Sequence, residues 1–121
     1  MLSDELAELL CRLRQQHWTL IRWGDESAPE LLAAVRKWPA CSDVFILRSE
    51  NSASAYRSPP WTVFGPPLVL FQVHSTPEKV LRAVLNLPPP ADDMAPEDLE
   101  DALEGCQIPD GLPIPVVIRP M

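Results

Sequence analysis

Two arginines and a serine carry the most specific chemistry in this chain. Arg22 and Arg48 each close an apolar, strand-like run, and Ser27 opens the segment Ser27-Ala28-Pro29-Glu30 that lies between those runs. Ser27 and Glu30 have the spacing of a capping box, and Pro29 stands where the first turn of a helix tolerates a missing N–H. A helix is therefore expected from Pro29, with Arg22 and Arg48 at the carboxyl ends of the strands on either side of it. Helix N-termini attract anions, and open α/β sheets bind ligands at that edge. Arg22, Arg48 and the amides near Ser27 thus form the expected site for a small anion or carboxylate. Asp25, Glu26 and Glu50 compete for the same guanidiniums as rim ion pairs.

A nucleophilic site can be drawn from Cys41, with Asp43 close by in sequence and His74 at the end of a later strand. Such chemistry needs the thiol, a base and an orienting acid within hydrogen-bond reach, and no motif around Cys41 implies that. Cys41 is expected to be a packed thiol and His74 a neutral ring bonded to backbone, so no residue is assigned a catalytic role. Cys11, Cys41 and Cys106 are odd in number and widely spaced, which fits neither a disulfide framework nor a metal motif. His17 and His74 stand at no ligand spacing with them, and neither metal nor cofactor is expected.

Two further segments have the character of contact surfaces. Residues 59–67 place Trp61, Val63 and Phe64 between proline pairs, an apolar edge that either folds onto the core or meets a partner. Trp61 would anchor such an interface. From Asp92 to Glu104 seven acidic residues occur with no basic one, and Leu99 and Leu103 predict a short acidic helix over 95–104.

The elements that must position these residues follow from periodicity. Leu6, Leu9, Leu10 and Leu13 line one face of a first helix, with Glu8 and Arg12 paired on the other. Residues 17–23 and 44–47 read as strands buried on both faces, and the intervening Leu31, Leu32, Val35 and Trp38 as a helical stripe. Strand, helix and strand in series predict a right-handed parallel β-α-β unit. Residues 49–52 turn the chain into an antiparallel hairpin with 53–57, and 68–73 reads as another buried strand. Ser75-Thr76-Pro77-Glu78 repeats the capping chemistry ahead of Val80, Leu81, Val84 and Leu85. The segment 88–115 is proline-rich and acidic, and 116–118 fits a last edge strand. The expectation is one domain over 1–121, of the α/β or α+β class. Its four- to five-stranded mixed sheet carries the N-terminal β-α-β unit, the hairpin and three to four helices.

Bulk composition excludes some functions. With 46% hydrophobic residues the chain can build a core without disulfides or metals. A net charge of −7 opposes binding to nucleic acid and to anionic membranes. No apolar run approaches the ~20 residues of a membrane span, and the acidic start is unlike a secretory signal, so a cytoplasmic location is expected. Lys37 and Lys79 are the only lysines, a bias that points to a GC-rich, bacterial genome. The leading expectation is a non-enzymatic interaction or regulatory module that binds another protein or itself as a homodimer, through 59–67 and the acidic helix. The alternative is a small anionic-ligand-binding domain or small enzyme whose site draws on Arg22, Arg48, Ser27, Cys41 and His74.

Overall fold

The computed structural model describes residues 4–27, 29–59, 62–90 and 99–118. Helix α1 (Asp4–Gln15) leads into a meander of β1 (Thr19–Gly24), β2 (Pro29–Lys37), β3 (Ser42–Ser49) and β4 (Ser52–Ser58). Then come β5 (Leu68–Val69), β6 (Phe71–Ser75), α2 (Pro77–Leu85), β7 (Glu100–Asp101), a 3-10 turn (Glu104–Cys106) and β8 (Pro115–Ile118). Six strands form one sheet in the order β6-β4-β3-β2-β1-β8, and every neighbouring pair is antiparallel. β5 and β7 make a separate two-stranded ribbon. No helix among the described residues is long and apolar enough to cross a membrane.

The sheet has two apolar faces. On one, Leu6, Leu9 and Leu13 of α1 and Val80, Leu81 and Val84 of α2 pack on Ala34, Phe45, Leu47, Ala53 and Ala55. The three alanines keep that surface low, so α2 approaches the sheet closely and α1 packs beside α2. Glu5 of α1 and Arg82 of α2 add an ion pair between the helices. On the other face Trp23, Leu31, Val44, Ile46 and Tyr56 are covered, among the described residues, by Val63, Phe64, Val69, Ala102, Cys106 and Ile108, none of them in an α-helix.

Residues 29–37 overturn the expected β-α-β unit. Leu31, Ala33 and Val35 face one core while Leu32 and Ala34 face the other, so the residues that fit a helical stripe also fit a strand apolar on both sides. As a helix the segment would bury one stripe; between β1 and β3 it buries both faces and completes two ladders of hydrogen bonds. Pro29 is tolerated because it is the first residue of the strand. The sheet is consequently six-stranded and antiparallel rather than four- to five-stranded and mixed, and among the described residues two α-helices stand in place of three to four.

Three other elements differ in detail. The second capping segment does start a helix, but Thr76 is its N-cap, no side chain caps it, and Ser75 still belongs to β6. The expected strand over 68–73 divides into β5 and β6 at Leu70, whose N–H donates to the carbonyl of Arg57. The described part of the expected acidic helix, 99–104, is instead the short strand β7 followed by the start of the 3-10 turn; residues 95–98 lie outside the described residues. The hairpin of β3 and β4 and the edge strand β8 stand where the sequence puts them.

One end of the helix-covered face is closed by a buried ion pair. Asp43 and Arg57 lie directly across from each other on β3 and β4, with Nε at 2.6 Å from Oδ1 and Nη2 at 3.1 Å from Oδ2. Trp38 Nε1 donates to the same carboxylate at 2.8 Å, and Arg57 Nη2 also reaches the carbonyl of Pro88 beyond α2. Asp43→Ala strands Arg57 and is expected to lower the unfolding free energy by about 3–5 kcal/mol. In denaturant titrations the double variant Asp43→Ala/Arg57→Met is expected to recover most of that loss.

Candidate functional site

β2 reverses the chain between β1 and β3, so β1 and β3 run in the same direction and end at the same edge of the sheet. The carboxyl ends of the two strands therefore lie together, as they would have in a parallel unit. Arg22 stands across from Leu32, and Leu32 across from Leu47, in one row over three strands. A cleft of about 620 Å³ opens there, lined by Arg22, Glu26, Ser27, Glu30, Leu32, Leu47, Arg48, Glu50 and Ile118 among others. The three residues singled out in the sequence, Arg22, Ser27 and Arg48, thus line one cleft.

Gly24 shapes its near wall. Its φ of +102° and the register shift after Trp23 turn the chain sharply, and an added Cβ would lie 3.0 Å from the backbone nitrogen of Glu30. The Gly24 carbonyl accepts a hydrogen bond from Arg22 Nε at 3.1 Å, which fixes the side chain. The remaining N–H groups of Arg22 have no partner among the described residues. None of the expected rim ion pairs forms there: neither arginine is paired with Asp25, Glu26, Glu30 or Glu50.

Arg48 is bound differently. Leu47 pairs with Ala53 and Ser49 with Ser52, which leaves Arg48 as the extra residue of a bulge. Its Nη2 donates to the carbonyl of Gly105, and to that of Gln107 at 2.5 Å, holding the 3-10 turn against the second face. Arg48 thereby joins the cleft to a shallower hollow lined by Ser54, His74 and residues 103–105.

That hollow contains a cluster with no sequence signal. Leu103 N–H donates to Gln72 Oε1 and Gln72 Nε2 donates to the Asp101 carbonyl, which fixes the amide's orientation. His74 Nε2, 3.1 Å from Gln72 Oε1, must then carry the proton, and Nδ1 accepts from Ser54 Oγ at 2.8 Å. The arrangement has the form of a hydroxyl beside a base, but Gly105 lies against it: a Cβ there would sit 2.4 Å from Nδ1. Ser54 is 3% exposed and its oxygen is engaged with Nδ1. The cluster fastens the 99–107 segment. Burial, reinforced by the nearby charge of Arg48, lowers the His74 pKa below its ordinary value.

Cys41 is distant from it. His74 pairs with Ser54, whereas Cys41 precedes Ser42, which pairs with Ser58 four residues along β4, a separation of about 13 Å. Burial, with the charge of Asp43, raises the Cys41 thiol pKa, and burial does the same to Cys106, so neither is an activated thiolate. Among the described residues no three of His, Cys, Asp and Glu converge to hold a metal ion. Val63 and Phe64 are half-buried against the second core: the Phe64 ring meets Trp23 edge-on at 5.6 Å, and the Val63 carbonyl accepts from Tyr56 OH at 2.6 Å. Trp61 lies outside the described residues. No protein-family model, curated protein or solved structure matches this chain.

With its pKa lowered, His74 in the folded protein resists the proton that the unfolded chain accepts near pH 6.5. Its contribution is complete above that pH, falls as pH drops below it, and levels off below the folded pKa. The stability difference between wild type and His74→Gln is therefore expected to shrink between pH 7.5 and 5 in thermal unfolding. A difference independent of pH would show that the fold does not hold His74 neutral.

Proposed function

We propose that this chain is a non-enzymatic ligand-binding domain, and that its cleft takes a small molecule bearing one carboxylate on an apolar body. The observation that carries this reading is the convergence of Arg22, Ser27 and Arg48 in one cleft, where Arg22 keeps free N–H groups above the apolar Leu32, Leu47 and Ile118. Its volume lies within the ordinary range of small-molecule sites, about 300–1,000 Å³. A guanidinium suits a carboxylate because it can donate two parallel hydrogen bonds. Glu26, Glu30 and Glu50 on the rim disfavour sulfate or phosphate, which carry more negative charge than one arginine offsets. The lining holds no His, Cys, Lys or Tyr, which speaks for binding rather than catalysis. Three unpaired cysteines support a reducing compartment such as the cytoplasm, and the net charge of −7 argues against nucleic acid as the ligand.

In thermal unfolding, 4-methylpentanoate is expected to raise the midpoint, and sulfate at matched ionic strength to leave it unchanged. Loss of a charged hydrogen bond is worth about 1.5–3 kcal/mol, so Arg22→Gln should weaken binding roughly 10- to 100-fold. Equal stabilisation by sulfate, or an unaffected Arg22→Gln, would overturn the reading.

A second reading, association with another copy of this chain, is favoured by β8. This edge strand exposes Val116 (44%) and Val117 (54%), the preceding Ile114 is 89% exposed, and 114–118 carries no charge. Two such edges paired antiparallel would continue the sheet across a two-fold axis. Light scattering at low and physiological salt is expected to give a salt-independent dimer that Val117→Lys converts to monomer; a monomer at both salts removes this reading.

A further inference from the structure

The charges around the cleft do not neutralise one another. The Arg22 side chain has one hydrogen bond, to Gly24, while the side chains of Glu26, Glu30 and Glu50 make none and form no ion pair among the described residues. The carboxylates do not converge into a cation site, being spread round the rim. A ligand with negative charge alone would satisfy Arg22 and meet three carboxylates; one with positive charge alone would satisfy the rim and meet Arg22.

We infer that the ligand is a zwitterion with an aliphatic side chain: an apolar α-amino acid, free or as a short peptide. This rests on the carboxylate-binding reading and adds the ammonium group to it. The carboxylate takes the free N–H groups of Arg22, which Gly24 holds in place. The ammonium group is drawn to the rim, where Glu30 follows Pro29 at the start of β2 and Glu26 and Glu50 lie in the turns after β1 and β3. The aliphatic side chain covers Leu32, Leu47 and Ile118, residues at the end of the sheet face that α1 and α2 pack on. Each of the three kinds of surface in the cleft then has a matching group on the ligand. The contribution of the ammonium group should fall with added salt, because the rim glutamates are exposed.

Isothermal titration of the full chain with L-leucine, 4-methylpentanoate, 3-methylbutylamine and L-leucyl-L-leucine tests this. Leucine or the dipeptide is expected to bind about tenfold or more tightly than either singly charged analogue, a margin of about 1.4 kcal/mol. The tighter of the two zwitterions identifies free amino acid or peptide as the source. Glu30→Gln and Glu50→Gln should weaken leucine and spare 4-methylpentanoate, whereas Arg22→Gln should weaken both; far-ultraviolet circular dichroism checks that each variant is folded. If 4-methylpentanoate binds as tightly as leucine, the zwitterion is wrong and the carboxylate reading stands. If neither binds, both fall.

Discussion

Two apolar faces on a single sheet constrain everything else in this protein. Ala33 and Ala34, Phe45 and Ile46, and Ala55 and Tyr56 are adjacent pairs whose members point into opposite cores, and each of these residues is almost wholly buried. A strand of that composition is stable only when both of its sides are covered. Two helices cover one side, and the other must be covered by irregular chain. Irregular chain brings unpaired carbonyls and amides against a core, and each must find a partner. Arg48, Gln72 and Tyr56 supply those partners for Gly105, Gln107, Asp101, Leu103 and Val63. The polar side chains that rise from the second face of the sheet thus hold the irregular chain among the described residues against it.

The same geometry leaves room for a cleft on the helix side. α2 has nine residues and α1 twelve, so they are about 13 and 18 Å long, while β2, with nine residues in extended form, spans about 30 Å. Helices this short leave part of the face uncovered. At one end the gap is closed by Asp43 and Arg57, sealed further by Trp38 and Pro88. At the opposite end the row of Arg22, Leu32 and Leu47 opens into the cleft, with its charges unpaired. The two ends differ in one respect that matters: Asp43 and Arg57 are cross-strand partners in register, whereas Arg22 faces leucine on β2 and Val116 on β8. An arginine without a cross-strand acid keeps its hydrogen-bonding capacity for something else.

How much of this was legible in the sequence depended on whether a single period fitted the residues. α1 and α2 were legible because Leu6, Leu9, Leu13 and Val80, Leu81, Val84 fit only the helical period. Residues 29–37 were not, because Leu31, Leu32, Ala33, Ala34 and Val35 satisfy both periods, and a good capping box decided locally what the two flanking strands decide globally. The placing of Arg22 and Arg48 at one end of the sheet was legible even so. Arg22 and Arg48 end strands that point the same way whether the element between them is a helix or an antiparallel strand. Ser54 and Gln72 were not legible as partners of His74, since the serine of buried β4 and the glutamine of half-buried β6 meet it only through the register of β4 with β6. Ser54 does alternate with Ala53 and Ala55 as a residue on the opposite face, and that alternation was the available clue.

The two arginines of the cleft are held differently. Both line the cleft, but the Nη2 of Arg48 already holds the carbonyls of Gly105 and Gln107. A ligand that drew this guanidinium away would leave two backbone acceptors without this partner at the edge of the second core. The half-buried Gly105 carbonyl would lose a bond worth about 1–3 kcal/mol, whereas the exposed Gln107 carbonyl can turn to water. Arg22 carries no such obligation: its Nε bond to Gly24 lies within its own turn and leaves the terminal N–H groups free. The cleft is therefore asymmetric: the terminal N–H groups of Arg22 are free, and the Nη2 of Arg48 is engaged. The bulge that ejects Arg48 from the β3 ladder serves the cover of the second face first, and the cleft takes its charge as a consequence.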